Sequence, residues 1–226
     1  MVSLHGRCAI CLLPLRAPVG ICSACRRALP APPPCCPRCG LPSADIHHPC
    51  GRCLLRPPPW QRLTFVSGYL PPLAPLVQRL KYRAEWPLAV PLARLMLLRY
   101  LQDRRSAPRA RPEIILPVPL HRLRHWQRGY NQAAELARWL ARWLQAEFRP
   151  QWLWRTRRTP PQQGLSAAQR RRNLRGAFAA HRALAGRRVL LVDDVITTGS
   201  TLSEISRLLI AQGVMSVETI CLCRTL

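Results

Sequence analysis

The cysteines of the N-terminal quarter recur at fixed spacing, and no other feature restricts the fold of this chain so tightly. Cys8-x2-Cys11-x10-Cys22-x2-Cys25 is followed by Cys36-x2-Cys39-x10-Cys50-x2-Cys53, so one pattern is written twice, with Cys36 answering to Cys8 and Cys53 to Cys25. Repetition at a fixed offset marks a duplicated small unit. A CxxC pair presents two thiolates from one tight turn, and two such pairs complete a tetrahedral shell that suits Zn2+ and leaves no position open for substrate. The segments GICSAC and CPRCGLP carry the glycine and proline that tight turns favour. The spacing admits sequential sets of four and sets interleaved between the repeats. Residues 1–57 are rich in proline and poor in apolar side chains, so metal is expected to supply much of their stability. A disulfide framework is the competing reading, but it needs an oxidising compartment. The start of the chain, MVSLHGRCAI, lacks the long apolar segment of a signal peptide. Cys35 is a ninth thiol outside the pattern. His47 and His48 precede Cys50 and would be ligands only if a set lacked a cysteine.

Pro57 to Pro59 mark the boundary to a second unit, residues 58–226. LTFVSGY reads as a strand, and residues 72–102 space their apolar side chains at three and four, as amphipathic helices do, with breaks expected at Pro87 and Pro91. An alternation follows: IILPV (114–118) as strand, a helix over about 131–147, QWLWR (151–155) as strand, a polar loop, RVLLVDD (188–194) as strand, a helix over about 200–211, and SVETICLC (216–223) as strand. That order predicts an α/β domain with a parallel sheet flanked by helices. Ligands of such sheets bind beyond the carboxyl ends of the strands.

The composition adds one constraint. Thirty-five arginines and lysines, with Lys81 the single lysine, oppose ten acidic residues for a formal net charge of +25. Such a field attracts polyanions, and a coding bias toward arginine is the plainer explanation. No apolar run reaches the eighteen or so residues of a membrane span. The expectation is a cytoplasmic protein with reduced thiols.

Against this scarcity of acids, VLLVDDVITTGSTLSEI (189–205) puts two of the ten side by side. Val189 to Val192 read as a buried strand that delivers Asp193 and Asp194 to the ligand edge. Thr197, Thr198, Gly199, Ser200 and Thr201 can surround a phosphate with backbone N–H groups and hydroxyls, while the next helix turns its positive end to the anion. Carboxylates facing that phosphate would repel it, so they suit sugar hydroxyls or a ligand-bound Mg2+. The residues together imply a phosphorylated sugar.

LLVDDVITTGST resembles the phosphoribosyl pyrophosphate (PRPP) loop of type I phosphoribosyltransferases. The absence of GK after the glycine excludes a Walker loop. RLKYR, ILPVPLHRLRHWQRGYNQAAELA and TPPQQGLSAAQRRRNLRGAF are similar to the competence protein F family, so the resemblance covers nearly the whole chain. It implies a type I phosphoribosyltransferase-like parallel sheet preceded by a small four-cysteine zinc-ribbon module with structural Zn2+. It also implies that Asp193 and Asp194 hold the ribose hydroxyls and that Thr197 to Thr201 hold the 5'-phosphate. Arg128, in RGYNQ, would steady pyrophosphate with Mg2+ and PRPP, the competing reading being one surface arginine among many. The function implied is accessory to DNA uptake, in transformation or DNA utilisation, with PRPP or a related phosphosugar, single-stranded DNA and proteins of the uptake machinery as partners. If the protein is an enzyme, the reaction is pentosyl transfer at the anomeric carbon. Nucleobase salvage and a phosphosugar-sensing module are the rival functions.

Overall fold

Four consecutive apolar residues, Val189 to Val192, need cover on both faces, which a strand obtains only inside a sheet with layers above and below. The computed structural model, which describes residues 6–16, 19–120, 129–156 and 174–226, meets that need. In chain order the elements are β1 (Gly6–Cys8), β2 (Pro14–Leu15), β3 (Val19–Gly20), α1 (Ser23–Arg27), α2 (Gly51–Leu55), β4 (Arg62–Gly68), α3 (Leu73–Tyr82), α4 (Ala89–Ser106), β5 (Ile114–Pro117), α5 (Gln132–Leu144), β6 (Glu147–Phe148), β7 (Leu153–Arg155), β8 (Phe178–Ala180), β9 (Arg188–Ile196), α6 (Ser200–Ala211) and β10 (Ser216–Arg224). A five-stranded sheet runs in the order β4-β10-β9-β5-β6, and every neighbouring pair is parallel. On one face Leu190 and Val192 of β9 pack with α3, α4 and α5 through Leu80, Leu92, Met96, Leu136 and Leu140. On the other, Val189 and Leu191 pack with Leu202, Ile205 and Leu209 of α6. Each such leucine, fully buried, contributes about 1.5–3 kcal/mol.

Helix α5 has the largest separation of apolar and polar faces. Its Asn131 N-cap accepts from Ala133 N at 3.0 Å and donates through Nδ2 to Val118 O at 3.0 Å, fastening the helix start to the end of β5. Trp139 and Trp143, one turn apart, place their ring centroids 5.5 Å apart with the planes tilted by 35°, and lie half-buried against the core, as their spacing implies. Helix α6 spans the residues its periodicity predicts.

Two expectations fail for physical reasons. Pro91 does not break a helix. It lies in the first turn of α4, where its missing N–H has no intrahelical acceptor to lose. QWLWR does not join the parallel sheet. Its last three residues form β7, which pairs antiparallel with β8 in a separate two-stranded ribbon; a short aromatic run carries no record of which edge it will pair with.

The N-terminal cysteine module obeys its repeat. Cys8 N donates to Leu13 O and, at the equivalent place in the second copy, Cys36 N donates to Leu41 O. Leu12 N and Gly40 N return to the carbonyls of Cys8 and Cys36, both at 2.9 Å. Cys22 and Cys50 are the N-caps of α1 and α2 with matching backbone angles. The equivalent residues Leu12 and Gly40 both take positive φ, 63° and 69°. Leu12 is exposed and accepts the strain, whereas a Cβ at Gly40 would come within 2.8 Å of Leu63 in β4. The second repeat therefore docks on edge strand β4, where Leu63 N donates to Pro37 O. Covering this edge removes a site for unwanted pairing.

The amino end of the sheet is locked by charge. Asp103 of α4 accepts from Arg62 Nε, Arg109 Nη2 and Thr64 Oγ1 at 2.8, 2.8 and 2.9 Å, and Arg109 Nε donates to Glu218 of β10 at 2.8 Å. Burial pushes the Asp103 pKa up, but hydrogen bonds and charge from Arg62, with Arg109 and Thr64, bring it below the ordinary value. A depressed pKa adds stability that is complete above the unfolded value of about 3.9 and lost as pH falls through the folded one. Asp103→Asn is expected to lower the unfolding free energy by about 3 kcal/mol at neutral pH and to flatten its decline under acid. Chemical denaturation across the acid range measures both, and parallel pH slopes in the two proteins would contradict the assignment.

Candidate functional site

The connections leaving the centre of the sheet diverge. From β9 the chain passes through α6 to β10 on one side, and from β5 it passes through α5 to β6 on the other. The crevice between β9 and β5 at their carboxyl ends is thus a topological switch point, where α/β sheets bind ligands. β5 ends at Pro117, opposite Val192, while β9 continues to Ile196. Asp193 and Asp194 stand immediately past the end of β5 and remain paired on the β10 side, with Asp193 opposite Cys221. The acids therefore lie within the strand, which runs two residues further than the sequence reading of 188–194, to Ile196.

The two acids differ. Asp194 is 3% exposed and forms an ion pair with Lys81 of α3, Nζ to Oδ2 at 2.6 Å. Asp193 is half-buried and accepts from Asp194 N through Oδ1 at 2.9 Å. Burial, then the charge of Asp194, raises the pKa of Asp193 well above the carboxylate range, and Lys81 opposes that rise only in part. Burial pulls the Lys81 pKa down, but the Asp194 carboxylate outweighs it and the net shift is upward. The centre thus carries one ion pair and one carboxyl that resists ionisation. Lys81 stands out in the sequence only as the single lysine; its partner lies in the last quarter of the chain, and only folding brings the two together.

The loop after β9 has the shape its composition requires. Gly199 takes φ +74° at the N-cap position of α6, a conformation that favours glycine, and a Cβ there would lie 3.1 Å from the ring of Trp60. Thr197 and Thr198 are exposed, Thr201 is half-buried and Ser200 is buried. Thr198 Oγ1 and Ser200 Oγ lie 2.8 Å apart. The first N–H groups of a helix have no intrahelical acceptor, so this turn offers amides and hydroxyls together to an anion. Arg224 Nη1 donates to the carbonyls of Ile196 and Thr197 from beneath. Neither Trp60 nor Arg224 carries a local signal that would have singled it out. Arg128 lies outside the described residues. Asn131 acts as the helix cap already described.

The cysteines form two sequential sets, Cys8, Cys11, Cys22, Cys25 and Cys36, Cys39, Cys50, Cys53, each with its four Sγ atoms within 4.8 Å of one another. The sulfurs of Cys11 and Cys22, of Cys36 and Cys53, and of Cys39 and Cys50 are 3.8, 3.9 and 3.8 Å apart. A tetrahedron of thiolates about Zn2+ with bonds near 2.3 Å has edges of about 3.8 Å, and a disulfide would require about 2.05 Å. Cys22 N and Cys50 N donate to the sulfurs of Cys8 and Cys36 at 3.4 and 3.2 Å, amide bonds that support thiolate charge around a metal. Both sets are suited to zinc. Cys35 belongs to neither, and His48 pairs with Asp45 at the surface.

The described helices include none long and apolar enough to cross a membrane. The Phosphoribosyl transferase domain family matches residues 129–226. DNA utilization protein YhgH of Escherichia coli (strain K12) is 46% identical over 227 residues, covering 100% of both chains. Competence protein F of Haemophilus influenzae is 40% identical over 216 residues, 94% of each chain. Among solved structures, the hypoxanthine-guanine phosphoribosyl transferase of L. donovani overlaps 60% of this chain and 71% of its own at 17% identity and a TM-score of 0.37, too remote to carry weight. Identity at this level along the whole length shows that the chain belongs to the family of DNA utilization protein YhgH and competence protein F, with a phosphoribosyltransferase-like domain behind two four-cysteine clusters.

Proposed function

We propose that the protein is a cytoplasmic accessory factor of DNA uptake or DNA utilisation that binds PRPP or a related phosphosugar at the carboxyl edge of its sheet. The names of its full-length relatives support the first part. The second rests on one observation, the left-handed Gly199 turn that joins the acid-bearing strand to the amino end of α6 at the switch point. In this reading the amides and hydroxyls of Thr197, Thr198, Gly199, Ser200 and Thr201 hold the 5'-phosphate. Asp193 and Asp194 hold the ribose hydroxyls, with Lys81 paired to the buried Asp194. A sugar diol, neutral and rich in donors, suits an acid pair that cannot carry two free charges. Mg2+ would arrive on the pyrophosphate, because Lys81 already occupies Asp194 and leaves no cage of free carboxylates. Arg128 is assigned to the pyrophosphate on its place in the sequence alone.

Zinc fills both cysteine sets in this account, as structural metal with no open coordination position. Single-stranded DNA is the second partner. Arg94 and Arg105 of α4, Arg111 after it and Arg138 and Arg142 of α5 are exposed, and each phosphate they neutralise steepens the salt dependence of binding.

Three outcomes follow from this reading. Titration calorimetry is expected to detect PRPP with Mg2+, and replacing both Asp193 and Asp194 by Asn should weaken it by about a hundredfold, the equivalent of about 3 kcal/mol; an unchanged isotherm would remove the acids from the site. Elemental analysis of purified protein should find two zinc ions per chain, and one or none would overturn the double-ribbon assignment. Labelled single-stranded oligonucleotides should be retained at low salt and released as salt rises, whereas release of pyrophosphate on adding a nucleobase would favour salvage instead.

A further inference from the structure

The turn from Thr197 to Gly199 lies between the end of β9 and the start of α6, so its shape depends on whatever meets it from outside those elements. Two buried side chains do so, and both are anchored on the second cysteine set. Trp60 is 5% exposed, and its ring lies against Gly199 closely enough that a Cβ there would approach Cη2 to 3.1 Å. Its Nε1 donates to Arg38 O at 2.6 Å, and Arg38 returns bonds from Nη2 and Nε to the carbonyls of Pro58 and Trp60 at 3.1 and 3.3 Å. Arg224, also 5% exposed, gives Nη1 to the carbonyls of Ile196 and Thr197 and Nε to Cys39 O at 3.3 Å. Arg38 and Cys39 belong to the knuckle Cys36-x2-Cys39. The carbonyls that hold Trp60 and Arg224 are thus fixed by the turn that presents two of the four thiolates. Among the described residues the first set makes no such approach to the loop. Its backbone meets α3 instead, where Ala9 O accepts from Arg79 at 3.3 Å.

We propose that Trp60 and Arg224 are positioning residues for the phosphate loop, and that closure of the Cys36, Cys39, Cys50 and Cys53 set acts through them to fix the backbone that grips a phosphosugar. The proposal rests on the phosphosugar reading for its ligand but not for its geometry. Four thiolates held within 4.8 Å repel one another unless a cation lies among them. Opening the set releases the knuckle, and the carbonyls of Arg38 and Cys39 move with it. Arg224 then loses the acceptor that aims it, and the carbonyls of Ile196 and Thr197 lose a charged donor. Hydrogen bonds to charged groups contribute about 1.5–3 kcal/mol each, so the loop is expected to sample open forms at least about tenfold more often.

The test is hydrogen–deuterium exchange over residues 197–203 of the full-length, zinc-loaded protein, read beside PRPP–Mg2+ affinity by calorimetry. Arg224→Met is expected to raise exchange of these amides and weaken PRPP by about tenfold or more while zinc content stays at its wild-type value. Arg224→Lys, which keeps the charge and one donor, should recover part of both. Trp60→Phe, which keeps a ring but loses the bond to Arg38 O, should produce a smaller change of the same sign. Cys50→Ser, which opens the second set, should reproduce the loop exchange of Arg224→Met. Asp103→Asn weakens the fold at the opposite end of the sheet and should leave the loop at its wild-type rate. Unchanged loop exchange in Arg224→Met and Cys50→Ser, or equal loosening in Asp103→Asn, would overturn the proposal. A loop that loosens as expected in a protein that never binds PRPP would uphold the positioning role and refute the phosphosugar reading alone.

Discussion

A buried carboxylate needs a partner, and the candidate site is organised around that requirement. Asp194 lies almost wholly within the protein near the end of the central strand, and the single lysine of the chain meets it at 2.6 Å. An unpaired charge in this position would cost several kcal/mol. With Asp194 paired, Asp193 cannot ionise freely, because burial and its neighbour's charge both oppose it. The adjacent acids therefore differ, one ion-paired with Lys81 and one reluctant to ionise, and the net negative charge at the crevice is small. In the proposed reading, that small charge lets an anion approach the loop only a few residues away. Two free carboxylates would repel the phosphate that the amides of α6 attract.

The duplicated cysteine unit shows how one sequence pattern acquires two uses. Both halves build the same knuckle and the same short helix, down to hydrogen bonds at equivalent positions of the two copies. Their surroundings separate them. The first half packs Ala9, Ile10, Val19 and Ile21 against the side of the core formed by α3 and α4. The second covers the edge of β4 and reaches the turn before α6 through Trp60 and Arg224. Gly40 records the difference: it is glycine where Leu63 and Phe65 press close, while its counterpart Leu12 projects into solvent.

Features governed by near neighbours in the chain were legible in the sequence. The strand through Val189 to Val192, the helix over residues 200–211 and the thiolate spacing all follow from local periodicity or turn chemistry, and each stands where the residues imply. Features governed by distant contacts were not. Sequential and interleaved cysteine sets have the same spacing, and only the docking of each knuckle distinguishes them. QWLWR has the composition of a strand, but its partner is the short ribbon strand β8 and not the sheet. Pro91 looks like a break until α4 is seen to begin two residues before it. Lys81, Trp60 and Arg224 meet the site from segments far apart in the chain, so nothing beside them in the sequence announces it.

In the proposed reading, the turn between β9 and α6 holds a sugar phosphate while the acid pair holds its diol. A crystal structure of the full chain soaked with PRPP and Mg2+ tests this most directly. The 5'-phosphate is expected within hydrogen-bonding distance of the amides from Thr198 to Thr201 and the ribose hydroxyls on Asp193 and Asp194, with Lys81 still beside Asp194. Phosphate density at any other part of the fold, with the turn before Ser200 empty and the acids turned only toward Lys81, would contradict it.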